Sequence, residues 1–313
     1  MKESKKKAKH HITIEDIPYT SIEFAKNNPV SLESGTSHKM QLVTGPANAT
    51  DHRIKWTSSN KTAATVDENG TVTALRPIET VTITAVYKTN PALTCSWNLK
   101  ITRTKGYITK QMLDNLDLTS IKKVMITAHP DDETLWGGGH LIEGEYLVVC
   151  MTHGWNPKRR TAFEQTMRTT NDKYLILDYP DVRKTFSNGK YETDMLSTCK
   201  NAMQEDINLI LSYKKWDLIA THNPFGEYGK FLHKTISQMV TQCYNKMTNK
   251  SATLYYFGRY YNSSNKIPGE QIAPELLAIK NSMVGRYYPT AKGAIDAFGH
   301  MIPYENWLLP SEW

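Results

Sequence analysis

The chain has 313 residues, enough for two domains or one large one. With 39% hydrophobic and 22% charged residues it has the composition of a soluble globular protein that can bury a core, which excludes a low-complexity or fibrous chain. The net charge of +7 is concentrated at the start, where five lysines face one glutamate between Met1 and His11. That run reads as a solvated, disordered basic tail and argues against a nucleic-acid partner.

No apolar run follows the tail, so the chain as it stands carries no signal peptide. No stretch of about 18 apolar residues exists to form a transmembrane segment. Cys95, Cys150, Cys199 and Cys243 are scattered and fit no zinc spacing. Cys150 lies in the apolar run Tyr146–Met151 and reads as a small core residue.

Residues 12–103 read as short strands. Apolar and β-branched residues alternate over Thr71–Leu75 and Val81–Tyr87, and turn residues (Gly45-Pro46, Asp67–Gly70, Asn90-Pro91) separate the runs. This is the pattern of a small all-β sandwich. Trp56 reads as a packing residue between its sheets. Residues 104–116 read as a linker.

From residue 117 to 313 the pattern changes to α/β. Apolar strand-length runs at 122–127, 145–151, 174–178, 216–221 and 253–257 alternate with helical stretches at 134–141, 159–174, 195–213 and 230–246. The alternation predicts a Rossmann-like, mostly parallel sheet with helices on both faces. Ligand sites in such sheets lie beyond the carboxyl ends of the strands.

Three clusters fall at those ends. The first is His129-Pro130-Asp131-Asp132-Glu133. Ionised carboxylates at such density need a partner such as a cation. His129 and Asp132, three apart on a tight loop, can converge on one ion, with Asp131 facing an open position. The second cluster runs from Thr221 to His233, with Gly226 and Gly229 permitting a tight turn. His233 completes two histidines and one carboxylate, a set suited to catalytic zinc or another divalent transition metal. The third is Thr152-His153-Gly154, followed by Lys158-Arg159-Arg160. His153 and Arg160 are the substrate-binding candidates here, and capping of the helix is the alternative. Gly137-Gly138-Gly139 lacks the ending of a phosphate loop and reads as close helix packing. The aromatic residues near Tyr287–Pro289 and Phe298–Trp307 are candidates to cover a pocket, with His300 among them.

The segment Ala128–Glu133 resembles the signature of the PIG-L/LmbE-like de-N-acetylase family, and Gly226-Glu227-Tyr228-Gly229 with His233 resembles its later motif. The resemblance spans roughly 122–260. It implies that His129, Asp132 and His233 bind Zn2+, that Asp131 is the general base, and that Tyr228 polarises the substrate carbonyl. The implied reaction is removal of the acetyl group from an N-acetylated sugar or glycan. Lys230 stands where the family carries an oxyanion-stabilising histidine, and Leu232 where relatives often carry an aspartate. A lysine cation suits a developing oxyanion, and Lys230 is therefore a third catalytic candidate; altered substrate choice or lost activity are the other readings.

Residues 12–103 resemble the bacterial Ig-like module in Gln41-Leu42, Ile54–Asn60, Ala64–Asp67, Asn69–Ala74 and Thr82–Ala85. That resemblance implies an extracellular or cell-surface protein associated with the bacterial envelope. Two alternatives follow: a surface carbohydrate-binding protein with a degenerate enzyme domain, and a metal-dependent amidase acting on a non-sugar amide.

Overall fold

The computed structural model describes residues 15–181, 193–248 and 251–313; the basic tail Met1–His11 lies outside them. Cα packing divides the chain into two compact units, 1–75 with 80–99, and 76–79 with 100–313.

The first unit is built on antiparallel strands: β1 (Ser21–Phe24), β2 (Ser31–Glu33), β3 (Ser37–Lys39), β4 (Leu42–Gly45), β5 (Ile54–Ser58), β6 (Ala64–Val66), β7 (Thr71–Ala74), β8 (Ile78–Tyr87) and β9 (Thr94–Thr102). They form sheets in the orders β2–β9–β8–β5 and β3–β7–β6, with β1 paired to β4. Alternate residues of β8 (Val81, Ile83, Ala85 and Tyr87) are fully buried while Thr82, Thr84 and Val86 between them are half-buried, as a one-sided sheet requires. Trp56 is half-buried and packs on Phe24 at 5.9 Å between ring centroids. Gly70, at φ +80°, lies under the indole, and a Cβ there would come within 2.6 Å of it.

The second unit contains α1 (Lys110–Asp114), β10 (Lys123–Thr127), α2 (Asp132–Glu143), β11 (Tyr146–Thr152), α3 (Pro157–Thr170), β12 (Lys173–Tyr179), α4 (Lys200–Tyr213), β13 (Leu218–Thr221), α5 (Gly226–Gly229), α6 (Phe231–Lys246), β14 (Thr253–Tyr256) and α7 (Pro274–Phe298). Among the described residues five parallel strands form one sheet in the order β12–β11–β10–β13–β14. Val124, Ile126, Leu147 and Val149 face a core shared with α4 and α6. Met125, Val148 and Cys150 face a second core shared with α2, α3 and α7. Central strands covered on both faces read as continuous apolar runs, and all seven residues of β11 are buried. The strand order reverses between β10 and β13, which opens a crevice at their carboxyl ends.

Residues 104–116 differ from the expected linker. Ile108 and Leu113 belong to the core under α4, and the Asp206 carboxylate accepts the backbone N–H groups of Tyr107 at 2.9 Å and Ile108 at 2.8 Å. Five helical residues are too few to show a periodic pattern. Helix α3 stops at Thr170 because Asn171 caps it at φ +60°, which leaves Tyr174 to the strand β12. The long α7 was not apparent in sequence. Gly285, Pro289 and Gly293 interrupt it, and its backbone breaks at Ala291.

A buried ion pair anchors α7 to the C-terminal segment. Lys280 Nζ lies 2.6 Å from Glu305 Oε1, with the two side chains 0% and 3% exposed. Glu305 also accepts N–H bonds from Gly139 at 2.6 Å and His140 at 3.1 Å. The glycine triplet of α2 makes room for these groups. Cβ atoms would meet Met125 and Trp307 at Gly137, the Lys280 stem at Gly138 and Glu305 at Gly139, all within about 3 Å. The expected close packing is therefore present, against α7 and the C-terminal segment as well as the sheet.

Candidate metal centre

Two loops meet at the crevice. The first leaves β10 at Thr127 and enters α2 through Asp131, whose φ of +142° is strained for a side-chain-bearing residue and costs about 1–3 kcal/mol. The bend returns Asp132 Oδ2 to the His129 backbone N–H at 2.7 Å. The second loop leaves β13 and is stitched by Asn223. Its Oδ1 accepts the N–H groups of Phe225 and Glu227, and its Nδ2 donates to the carbonyls of Phe257 and Gly258. Glu227 sits at φ +53°, between Gly226 at +63° and Gly229 at +99°. The turn delivers α6 so that His233, fully buried, points back at the first loop.

His129, Asp132 and His233 converge. His129 Nδ1 lies 3.2 Å from Asp132 Oδ2 and 3.0 Å from His233 Nε2, and His233 Nε2 lies 3.4 Å from Asp132 Oδ2. Bonds of about 2.0–2.1 Å to a tetrahedral zinc ion imply ligand–ligand separations of roughly 3.3 Å, so the triangle fits such an ion within a few tenths of an ångström. The outer nitrogens are held by carboxylates: His129 Nε2 lies 3.0 Å from Asp181 Oδ1, and His233 Nδ1 lies 2.5 Å from Glu227 Oε2. This is the usual support for a metal-binding imidazole, leaving the other nitrogen's lone pair for the ion.

The electrostatics ask for a cation at the triangle. Burial opposes ionisation of Asp132, but three surrounding imidazoles hold its carboxyl well below the usual range. Burial opposes charge on His129 too, yet Asp181 and Asp132 raise it to about 9. Burial takes His233 the other way, down to about 4. A proton on His129 therefore satisfies the triangle, and a metal ion entering there would displace it.

The pocket above the triangle is lined by Asp131, Asp181, Arg159, Tyr228 and Lys230, with Phe298 from the end of α7. Burial and the neighbouring Asp132 push the Asp131 carboxyl up to about 7, against the pull of Arg159. Its backbone N–H donates to Glu133, which the Tyr287 hydroxyl holds at 2.6 Å.

The structure thus brings together His129, Asp131, Asp132, Tyr228, Lys230 and His233. Arg160 points elsewhere: its Nε donates to the Gly154 carbonyl at 2.6 Å, while Arg159 lines the pocket instead. One residue along a helix is a rotation of about 100°, and the pair Arg159-Arg160 gives no sign in sequence of which faces inward. His153 stands behind the site, its ring 5.7 Å from that of His129 and its Nδ1 2.7 Å from the Thr152 hydroxyl, outside the pocket lining. His300 bonds the Tyr261 carbonyl and also does not line the pocket. Sequence reasoning missed Asp181 and Glu227. It took His222 for a structural residue, and the fully buried ring bonds Glu227 through Nδ1 at 3.1 Å.

Residues 18–96 match the family described as bacterial Ig-like domain (group 2). Over 175 residues the chain is 31% identical to the uncharacterized protein L374 of Acanthamoeba polyphaga mimivirus, covering 50% of this chain and 67% of the viral protein. The chain belongs to the family of L374. A second member of that comparison, the uncharacterized protein CA_P0160 of Clostridium acetobutylicum, is 32% identical over 117 residues, which are 37% of this chain and 12% of the clostridial protein. Among solved structures, the conserved protein TT1542 from Thermus thermophilus aligns with a TM-score of 0.42 and 13% identity, over 61% of this chain and 95% of its own. Among the described residues of this L374 relative, no helix is long and apolar enough to cross a membrane.

Proposed function

We propose that the chain is a metal-dependent hydrolase that removes the acetyl group from an N-acetylated sugar or glycan. One observation carries the reading: the His129–Asp132–His233 triangle has zinc-like edges and shares its pocket with the Asp131 carboxyl. The strand order and the crevice at β10 and β13 support a Rossmann-like scaffold for it. The sugar substrate rests on the resemblance of Ala128–Glu133 and Gly226–His233 to the PIG-L/LmbE-like de-N-acetylases.

A divalent ion held by His129, Asp132 and His233 would supply Lewis-acid activation of water and of the amide carbonyl. Asp131, poised near neutrality, takes the proton from the attacking water and returns it to the leaving amine. Lys230 and Tyr228 line the same pocket and supply donors to the oxygen that gains charge. Arg159 is placed to orient the substrate. The products are acetate and a free amino sugar. The Ig-like module supports an extracellular or cell-surface location.

Lys230 and Leu232 favour a second reading, a surface carbohydrate-binding protein whose enzyme unit has lost activity. Elemental analysis of the purified protein, followed by acetate release from chitooligosaccharides, peptidoglycan fragments and inositol-linked N-acetylglucosamine, separates the two. The proposal expects bound metal and chelator-sensitive acetate release. Metal-loaded protein that binds these sugars without releasing acetate refutes it. Release from acetylated peptides or small amides alone would make it an amidase of another class.

A further inference from the structure

We propose that Glu227 is the positioning residue of the metal centre, and that it ties both ligand-bearing loops into one preorganised unit. This rests on the metal-site reading above and deepens it. Glu227 holds His233 directly, through Oε2 at 2.5 Å from Nδ1. The same oxygen lies 3.1 Å from His222 Nδ1, and the two imidazoles stack at 3.9 Å between centroids. His222 then reaches the other loop. Its Nε2 accepts the backbone N–H of Ala128 at 2.9 Å, one residue before His129. An N–H donating into Nε2 requires a lone pair there, so the neutral His222 ring would carry its proton on Nδ1 and donate it to Glu227. One carboxylate therefore fixes His233 and, through His222, the start of the segment that carries His129 and Asp132.

Three further observations mark Glu227 as placed for this task. Its side chain is fully buried, a costly site for a carboxylate unless it is fully bonded. Its second oxygen is bonded too, accepting the Asn223 N–H at 3.1 Å. Its backbone sits at φ +53°, a left-handed conformation that a non-glycine residue holds only when its surroundings over-determine it. Leu232, on the first turn of α6 beside His233, is buried in the core and offers no carboxylate of its own. Glu227, five residues earlier, supplies it from the turn.

The test compares wild type, Glu227→Gln and His222→Gln by competition of Zn2+ with a chelator, with circular dichroism to confirm the fold. Outer-shell partners of metal-binding histidines are worth about 10–100-fold in affinity. Glu227→Gln is expected to weaken Zn2+ binding by about that factor. His222→Gln is expected to weaken it as well, since it cuts both the link to Glu227 and the 3.4 Å approach of His222 Nε2 to Asp132 Oδ2. In the double variant the two losses should fall short of multiplying, because both act through one carboxylate. Nitrogen-15 shifts of the metal-free wild type are expected to show His222 and His233 protonated on Nδ1. Affinity of Glu227→Gln within about twofold of wild type, or Nε2-protonated rings, overturns the inference. Should Glu227→Gln not fold, unchanged affinity in His222→Gln still overturns the link between the loops. A wild-type chain that takes up no metal refutes the metal-site reading itself, a result distinct from the others.

Discussion

Lys280→Met removes the buried ammonium while keeping the stem that fills the space over Gly138. Glu305 is left with its two N–H bonds from Gly139 and His140 and, among the described residues, only the His140 imidazole at 3.9 Å as a possible cation beside it. Stranding one member of a buried pair costs about 3–5 kcal/mol. That is a fall of roughly 6–20 °C in the midpoint of a unit of this size. The loss depends on pH in a defined sense. Burial pushes the Glu305 carboxyl up while Lys280 and the Gly139 N–H hold it below 4.5; without Lys280, burial is expected to carry it above that unfolded value. The variant then keeps its stability below the unfolded value and loses it as pH rises through the raised folded one. Calorimetry at pH 5 and pH 8, reading the transition of the α/β unit, should show the larger deficit at pH 8. Lys280→Met with Glu305→Gln removes both charges and should recover most of the loss. A deficit below about 1 kcal/mol at pH 8, or an equal deficit at the two pH values, would show that the pair does not anchor α7 as described.

Other perturbations probe the site and the sheet. Asp131→Asn should lower turnover at least about 100-fold with metal content unchanged; near-normal turnover would remove Asp131 as the base. Arg159→Met should lower kcat/KM by about tenfold or more, while Arg160→Met, outside the pocket, should change it by less than about threefold; the reverse order would contradict the placement of the two side chains. Asp172 accepts the Tyr146 N–H at 2.7 Å and the Thr170 hydroxyl at 2.5 Å, and burial pushes its carboxyl up to about 7 from 3.8. An acid raised on folding stabilises least once ionised, so this contribution falls between about pH 4 and pH 7 and then levels. Asp172→Asn keeps the Tyr146 bond through its carbonyl oxygen and reverses the other, its Nδ2 donating to the Thr170 hydroxyl; it should flatten that fall, so that between the acid side and pH 8 it gains about 1–3 kcal/mol on the wild type; an unaltered slope in urea unfolding would count against it.

Much of the α/β unit was legible because its strands are buried on both faces and so stand out as unbroken apolar runs. The loop 128–133 was legible because it packs His, Asp, Asp and Glu into five positions at a strand end, a density that folding alone does not require. The supporting carboxylates were not. Asp181 is a lone acid after Tyr179-Pro180, and Glu227 sits among glycines with no periodic neighbour; each acts on a histidine 52 or 6 positions away through a contact that only the fold creates. The choice between Arg159 and Arg160 depends on helix phase, which the pair of adjacent arginines does not reveal. Helix α7 was hidden by Gly285, Pro289 and Gly293, although its end supplies Phe298 to the pocket.

The glycine triplet in the middle of α2 has a consequence for reading mutational maps of this protein. Gly137 stands at a break in the helix (φ −148°), Gly138 and Gly139 each forfeit about 1 kcal/mol relative to alanine in a helix, and each bare α-carbon faces a different neighbour: Met125 and Trp307, then Lys280, then Glu305. Saturation mutagenesis would therefore score positions 137–139 as intolerant and contiguous with Ala128–Glu133. The apparent catalytic signature would extend to residue 139, but positions 137–139 would record the clearance demanded by a charged pair, the Met125 methyl and the Trp307 ring rather than any contact with substrate.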